Sequence, residues 1–386
     1  MVLCLSPTGL SVGRALYESG VPVYGADTDI LEIGHYSSFF RHHSPFFLER
    51  KLDRLLDTLI AFAKSCNHSP VLFPAGDDQI EWVAHHHADL KPYFRLQDCA
   101  KPETASRFVD KRIFYEWVRT AYDHLPKTCV PENEEQVQAV AEDLQYPVIL
   151  KPARGHAWRR HLRGAKVLEV STPSELLREY RRHALFDSAL VLQEVIPGPE
   201  NEIVVAACAI GQKGEPLSVF TARKARQYPY YFGSASYCVS EWVPEVAELS
   251  IDILTRLRFR GVCGTEFKRD HRTGRWALIE INPRPTLWFD VARASGVNPV
   301  DAIYRDLAGL PQNPRRHQRD GITWRYLARD LIACYRYWWR SDPQTPSMIS
   351  TLKWPHSEAI ASKQDISAAF VYPFYVIIHA LRHLIT

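Results

Sequence analysis

The chain has 386 residues, of which 46% are hydrophobic and 24% charged. That balance suits an ordinary water-soluble protein with enough chain for two or three packed lobes. The formal net charge is only +3, which excludes a strong overall field that would gather nucleic acid or an anionic membrane, so any basic chemistry has to be local. The eight cysteines, Cys4, Cys66, Cys99, Cys129, Cys208, Cys238, Cys263 and Cys334, are scattered without a CxxC, the pattern of free thiols in a reducing compartment. The opening MVLCLSPTGL lacks the charged and long apolar regions of a signal peptide. With no apolar run of about 20 residues to span a bilayer, the expected location is cytoplasmic.

In chain order, VLCLS, a glycine-punctuated turn through Gly9 and Gly13, a helix to Ser19 and VPVYGAD read as a βαβ unit at the edge of a parallel sheet. A helix from about Leu52 to Lys64 leads into the strand VLFPAGDD, which ends on Asp77 and Asp78. These acids either face a cleft at the carboxyl edge of the sheet or cap the helix that follows. The turn at Thr8-Gly9 lacks a full GxGxxG, so nucleotide binding is not assigned to this lobe. His85, His86 and His87 are consecutive in a helical stretch, point about 100° apart and cannot close round one metal.

From Val109 the texture becomes α+β. A helix (DKRIFYEWVRTAY), a strand (TCV), a helix from Glu134 to Leu144 and the strand YPVILKP are followed by VLQEVIPG, EIVVAACAI and QYPYYFG. A helix near Glu245 to Leu257 then precedes paired strands, GTEFKRD and WALIEINPR, round an HRTG turn. Further on, WRYLARDLIACYRYWWR spaces Leu327, Leu331 and Tyr335 at i, i+4 and i+8, so a helix packing that face on the core is expected. Its interleaved arginines and aromatics offer stacking on single-stranded nucleic acid as the alternative. Ile366 to Ile378, apolar and interrupted by Pro373, reads as a packed helix, with a membrane-surface anchor as the competing reading.

The chemistry concentrates in GTEFKRDHRTGRWALIEINPRP. Alternation along a strand puts Glu280 and Asn282 on one face, continued by Arg284, with Ile279 and Ile281 on the other; Glu266 shares a side with Lys268 on the neighbouring strand. Two carboxylates and an amide oxygen form a hard-oxygen set suited to Mg²⁺ carrying nucleotide phosphates. Burying them without a cation is costly. The competing reading is a plain ribbon with its polar face in water. Arg284 favours the metal reading, because a guanidinium beside the acids can hold a carboxylate or phosphate through two parallel hydrogen bonds. No Ser–His or Cys–His pair stands at a spacing that suggests a covalent nucleophile.

Lys111, the strand PVILKP with Lys151, the stretch QEVIPGPENE, and TEF followed by IEINPR resemble, in order and spacing, the signature of the ATP-grasp superfamily. The resemblance runs from about Val109 to Leu310, and the first lobe is similar to the Rossmann-like domain that precedes this module. Within the superfamily the likeness points to the carboxylate–amine ligase group that includes D-aspartate ligase-like proteins. It implies an α/β and α+β architecture. A Rossmann-like pre-ATP-grasp domain would occupy 1–96, an ATP-grasp domain of two subdomains sandwiching ATP 97–310, and a helical C-terminal extension 311–386.

Position by position, the resemblance implies that Lys111 and Lys151 reach the nucleotide phosphates. Gln193, Glu194, Val195 and Ile196 would form a hinge whose backbone and first acid meet the adenine. Glu202, with Glu200 competing, would meet the ribose, and Lys268 is counted with the nucleotide. Glu266, Glu280 and Asn282 match the Mg²⁺ ligands, with Mn²⁺ as a substitute, and Arg284 matches the arginine that steadies the transferred phosphoryl group or acyl phosphate. Lys224 and Arg226, on one side of TARKARQYP, are expected to bind the substrate carboxylate, and YPYYFGS to form a mobile cover hinged at Gly233. Where the family has a glycine-rich phosphate loop, this chain reads ARGHAWRRHLRGAK; Arg154, His156, Arg159, Arg160, Arg163 and Lys166 would neutralise the triphosphate with side chains or recruit a second anionic substrate. The activity implied is ATP- and Mg-dependent joining of a small-molecule carboxylate, activated as an acyl phosphate, to an amine, with amino acids as candidates for both. Neither nucleic acid nor a membrane span is expected, and a homodimer is an option. The alternatives are a carboxylase working through carboxyphosphate and a non-catalytic ATP-binding protein.

Overall fold

The structure is a computed structural model and describes residues 1–41, 52–153, 167–184, 189–314, 316–340 and 353–385. The basic stretch 154–166 lies outside the described residues. The first lobe is a parallel sheet in the order β2-β1-β3, with β1 (Val2–Leu3), β2 (Gly25–Ala26) and β3 (Phe73–Pro74). Helix α1 (Pro7–Tyr17) begins at a proline, before the glycines, so the expected turn through Gly9 and Gly13 lies inside the helix. A Cβ on Gly9 would fall 1.8 Å from the Cys4 carbonyl oxygen, and one on Gly13 2.5 Å from the Phe40 ring. Gly9 lets α1 lie directly on the end of β1, and Gly13 lets it pack closely on Phe40. On the other face, α2 (Leu52–Ser65) buries Leu55, Leu59 and Ala63 at helical spacing. After β3 come α3 (Asp77–His85) and α4 (His87–Leu90). The three histidines straddle a helix end, and among the described residues no group of three or more His, Cys, Asp or Glu could hold a metal.

Two helices, α5 (Pro102–Val109) and α6 (Lys111–Arg119), lead to the central module. Asp110 caps α6 by accepting the Arg112 N–H at 3.0 Å, which fixes Lys111 at the helix start. A four-stranded antiparallel sheet follows in the order β4-β7-β5-β6. Its strands are β4 (Thr128–Cys129), β5 (Val148–Pro152), β6 (Leu168–Val170) and β7 (Leu190–Glu194). Helices α7 (Glu134–Ala141) and α8 (Pro173–His183) supply Val137, Leu176 and Tyr180 to the core that receives Val148, Leu150, Leu190 and Leu192. Because side chains alternate, Lys151 and Gln193 emerge on the opposite face.

The third layer is a seven-stranded sheet in the order β12-β11-β8-β9-β10-β13-β14. Its first members are β8 (Ile203–Ile210), β9 (Pro216–Tyr228), β10 (Ser234–Ser240), β11 (Gly261–Arg269) and β12 (Trp276–Asn282). β8 is buried on both faces, which explains its unbroken apolar run: Val204, Ala206 and Cys208 meet α9 (Pro244–Arg256), while Val205, Ala207 and Ala209 share a core with α1, α10 (Phe289–Ala294) and α11 (Pro299–Ala308). The stretch Pro229–Gly233 is the tight connection between β9 and β10. Tyr230 packs on Tyr231 and Tyr337 there, and a Cβ on Gly233 would meet the Tyr228 backbone at 2.1 Å. The expected hinge at Gly233 is therefore a close-packed turn.

The region expected to be a helical extension also contributes strands. β13 (Thr323–Arg325) pairs antiparallel with β10, and β14 (Ser357–Glu358) pairs parallel with β13, so both extend the large sheet. The helices there are α12 (Leu327–Trp339) and α13 (Ile366–Ile385). α12 buries Asp330, Ala333, Cys334 and Tyr337, whereas Leu331 and Tyr335, expected to face inward, are 41% and 51% exposed. The helix is rotated because Asp330 pairs with Arg226 of β9. Ties across the layers converge on Arg14 of α1. Its Nη1 donates to Asp290 of α10 at 2.5 Å and to the Glu358 carbonyl at 2.9 Å, and its Nη2 to the Ile360 carbonyl at 3.2 Å.

Candidate active site

In the β11–β12 ladder Glu266 stands directly opposite Glu280, and Gly264 opposite Asn282. The register shifts between Glu266 and Phe267, a bulge that places an extra residue, Ile279, in β12. That insertion lets Leu278 join the α9-side core beside Phe267 while Glu280 and Asn282 face the cleft. Ile281 packs in the same core as expected; Ile279 stays half-buried and its carbonyl accepts the Tyr115 hydroxyl at 3.2 Å.

Two like charges opposite each other destabilise a ladder, and here each is answered by a lysine from another element. Lys111 Nζ donates to Glu280 Oε1 at 2.8 Å, and Lys224 Nζ to Glu266 Oε1 at 2.8 Å. The Asn282 amide donates to Glu280 Oε2 at 3.4 Å. Arg284 Nε and Nη2 donate to the two carboxylate oxygens of Asp77, at 2.7 and 2.9 Å. Asp77 occupies the first turn of α3, so it both opens that helix and faces the site. Burial works against charge in this cluster, but partner charges outweigh it. Lys111 is held above its ordinary pKa by Glu280, Tyr115 and Asp77, Arg284 is raised by Asp77, and Asp77 is lowered by Arg284. All three are ionised at neutral pH.

Lys151 lies next to this cluster. Its Nζ donates to Gln193 Oε1 at 2.8 Å and to the Tyr115 hydroxyl at 3.0 Å, while Gln193 Nε2 donates to Thr128 Oγ1 at 2.8 Å. Tyr115 thus links Lys151 to the bulge of the β11–β12 hairpin. It sits four residues after Lys111 on the same helix face, a spacing from which its place could have been read. Glu194 departs from expectation: alternation sends its side chain to the α7–α8 face, where it accepts the Gln145 N–H at 2.8 Å. The Glu194 side chain is thereby turned away from the face that carries Lys151 and Gln193, and Ile196 is buried.

Of the two acids weighed for the ribose, Glu200 is buried and already engaged. Lys268 Nζ donates to it at 2.9 Å and the Gln227 amide bonds it as well; burial nonetheless keeps its carboxyl above the usual range. Glu202 is half-buried beside His271, Nε2 to Oε2 2.6 Å, and is the more accessible acid. Lys268, expected at the nucleotide, is therefore tied to Glu200. Arg226, expected at the substrate carboxylate, is buried, donates from Nε and Nη2 to Asp330 at 2.7 and 2.6 Å, and lies 4.0 Å from the centre of the Tyr237 ring. Sequence reasoning paired Lys224 and Arg226 by strand alternation; the structure sends Lys224 to Glu266 and Arg226 to the helix α12.

A search of protein-family models returned no match. Among characterised proteins, the chain is 24% identical over 224 residues to the D-aspartate ligase of Enterococcus faecium, a match covering 55% of this chain and 53% of the ligase. It is 25% identical over 228 residues to the carbamoyl phosphate synthase large chain of Clavibacter sepedonicus, covering 54% of this chain and 19% of the synthase. Among solved structures, the N5-carboxyaminoimidazole synthetase of Staphylococcus aureus superposes with a TM-score of 0.62 at 12% identity, covering 89% of this chain and 85% of that one. These likenesses together indicate the ATP-grasp superfamily. The chain spans about half the length of the D-aspartate ligase and about a fifth of the synthase.

The donor set of this cleft fits a divalent cation. Mg²⁺ is usually held by one or two carboxylates plus phosphates and water rather than by an all-protein cage. Glu266, Glu280 and Asn282 supply that complement of oxygens, and Lys111 and Lys224, which neutralise the two carboxylates, are suited to anionic groups of an incoming ligand.

Proposed function

We propose that the protein is an ATP-dependent ligase that activates a carboxylate as an acyl phosphate and joins it to an amine. The observation that carries this reading is the convergence of acid–cation pairs on one cleft: Lys111 with Glu280, Lys224 with Glu266 and Arg284 with Asp77. Every carboxylate there is matched with a cation. A polyanion and a divalent cation entering together let Glu266, Glu280 and their lysines exchange partners without leaving a charge unpaired, while Asp77, its side chain 41% exposed, can pass to water.

In this scheme Lys111 and Lys151 transfer to the phosphates, freeing Glu280. Lys224 leaves Glu266 for the substrate carboxylate, and Arg284 exchanges Asp77 for the transferred phosphoryl group. Mg²⁺, held by Glu266, Glu280 and Asn282, would spread the charge on the phosphoryl oxygens. A carboxylate oxygen attacks the γ-phosphorus in line and the bond to the ADP oxygen breaks. The amine nitrogen then attacks the acyl carbon, phosphate leaves, and the nitrogen gives up a proton. Glu202 and the main chain of Glu194 to Ile196 would meet the ribose and adenine. Arg226 has a positioning role, holding α12 against β9, and Lys268 fixes Glu200 beneath the site.

A second reading, carboxylation through carboxyphosphate, is favoured by the structural likeness to a synthetase named for a carboxyamino product. ADP release from the purified protein, screened against amino acids and amines with and without bicarbonate and followed by mass spectrometry, separates the two. Release that requires an acid and an amine, with a product equal to their sum less one water, is the expected result. Release that depends on bicarbonate instead assigns the second reading; nucleotide binding without release under any pairing overturns both.

A further inference from the structure

The outer faces of α12 and α13 are not used by the nucleotide cleft. On α12, Leu331, Ile332, Tyr335, Trp338 and Trp339 are 41–66% exposed. On α13, Ile366, Phe370, Phe374 and Ile377 are 57–76% exposed and stand at i, i+4, i+8 and i+11, a single helical stripe. Trp354, shortly before β14, is also exposed. The helices are neighbours: the Ala328 N–H donates to the Tyr372 hydroxyl at 3.2 Å, and the Tyr326 and Tyr372 rings lie 6.2 Å apart. Single exposed apolar side chains are ordinary, but aromatic and aliphatic side chains gathered in stripes on adjoining helices mark an interaction surface.

The charges around these stripes identify the partner. Among the described residues from 327 onward whose side chains are placed, the acids Asp330, Glu358 and Asp365 are all buried. Asp330 holds Arg226, Glu358 accepts the N–H groups of Leu327, Ile360 and Ala361, and Asp365 accepts from Ser38. The exposed charges are Arg336, Arg340, Lys353 and Lys363, all cationic. A second copy docking by the same face would bring these cations together with no exposed acid among the described residues there to pair. Phe370, Phe374 and Ile377 form a stripe without interleaved cations, which is poorly suited to a nucleic acid backbone. Tryptophan and tyrosine beside basic residues, adjoining phenylalanine and isoleucine, instead match the headgroup level, phosphates and acyl boundary of an anionic bilayer.

We propose that α12 and α13 dock the protein peripherally on an anionic membrane surface. No helix among the described residues is long and apolar enough to cross a membrane, so the contact is with one leaflet. The stripes insert at the interface and Arg336, Arg340, Lys353 and Lys363 face the lipid phosphates.

The test is flotation of the purified full chain with extruded vesicles of phosphatidylcholine alone or of a three-to-one mixture with phosphatidylglycerol. Sedimentation velocity and single-stranded RNA retention are measured in the same buffer. At least about tenfold more protein should float with the anionic vesicles, an advantage lost in high salt, with a blue shift of tryptophan emission. Phe370→Ser/Phe374→Ser and Trp338→Ser/Trp339→Ser, all at exposed positions, should each lower flotation about tenfold or more with unchanged melting temperature. The fluorescence shift of the unaltered protein stands independently of how those variants fold. Absence of flotation, equal flotation with neutral vesicles, a dimer dissolved by the same substitutions in place of lipid binding, or RNA retention in its place would each overturn the proposal.

Discussion

Whether Arg226 binds substrate or braces the fold can be decided by a double-mutant cycle with Asp330. The pair is almost fully enclosed, with side chains 4% and 0% exposed, and is joined by two parallel hydrogen bonds. Asp330 also accepts the Ser236 hydroxyl at 3.0 Å. Asp330→Leu leaves a guanidinium in a low-dielectric site without its counter-charge, which costs about 3–5 kcal/mol. At about 2 °C per kcal/mol for a long chain, the melting temperature should fall by roughly 6–10 °C. Arg226→Met should cost a similar amount by stranding Asp330. The double variant replaces both charges with apolar groups of similar volume and should recover to within about 1 kcal/mol of the parent, the remainder being the lost Ser236 bond. Calorimetry and guanidinium unfolding of the four proteins supply the coupling energy, and steady-state kinetics of the double variant supply the Michaelis constant for the acid. Strictly additive losses, or single variants of full stability with a raised KM for the acid, would refute the bracing role and return Arg226 to the substrate pocket.

Further outcomes follow from the cleft. Glu280→Gln should retain the fold yet lose turnover on the order of 10²–10³-fold, and titration calorimetry should show that its preference for Mg·ATP over metal-free ATP has gone; unchanged turnover removes Glu280 from the metal set. Lys224→Ala should raise KM for the acid by about tenfold or more while leaving KM for ATP nearly constant; the reverse pattern would place Lys224 at the nucleotide. Asp77 is held below the ordinary carboxylate value of about 3.9 by Arg284. Its contribution to stability is thus complete above that value and lost only as pH falls through the lowered one. Carboxyl ¹³C resonances of the ligand-free protein should show Asp77 titrating below its ordinary value, and a midpoint above it would mean the Arg284 contact is absent in solution.

The parts legible in the sequence are those fixed by local alternation and short spacing. VILKP announces a strand with a core side and a lysine side, and β5 places Val148 and Leu150 in the core with Lys151 opposite. Glu280 and Asn282 were likewise readable, although the bulge at Ile279 was not, since a register shift leaves no mark on a single strand. The same alternation applied to QE would have sent Glu194 away from Gln193, as the structure does. What escaped was long-range. The 3.6-residue pattern at Leu327, Leu331 and Tyr335 fits α12, but an ion pair formed across 104 positions turned the helix to bury Asp330 instead. Asp77 stands 207 positions from Arg284, and β13 and β14 are too short to carry a periodic signal.

Arg14 has a consequence for how such a chain can be recombined. One guanidinium fastens the first lobe to α10 and to the main chain at Glu358 and Ile360, and Asp290 is in turn bonded by Arg293 and Ser357. Exchanging the first lobe for that of a relative, or trimming the segment after α12, would strand polar groups at the middle of a shared interior. Segments at opposite ends of the numbering are thereby inherited as one unit, and grafts that respect this fastening should express where simple domain swaps aggregate.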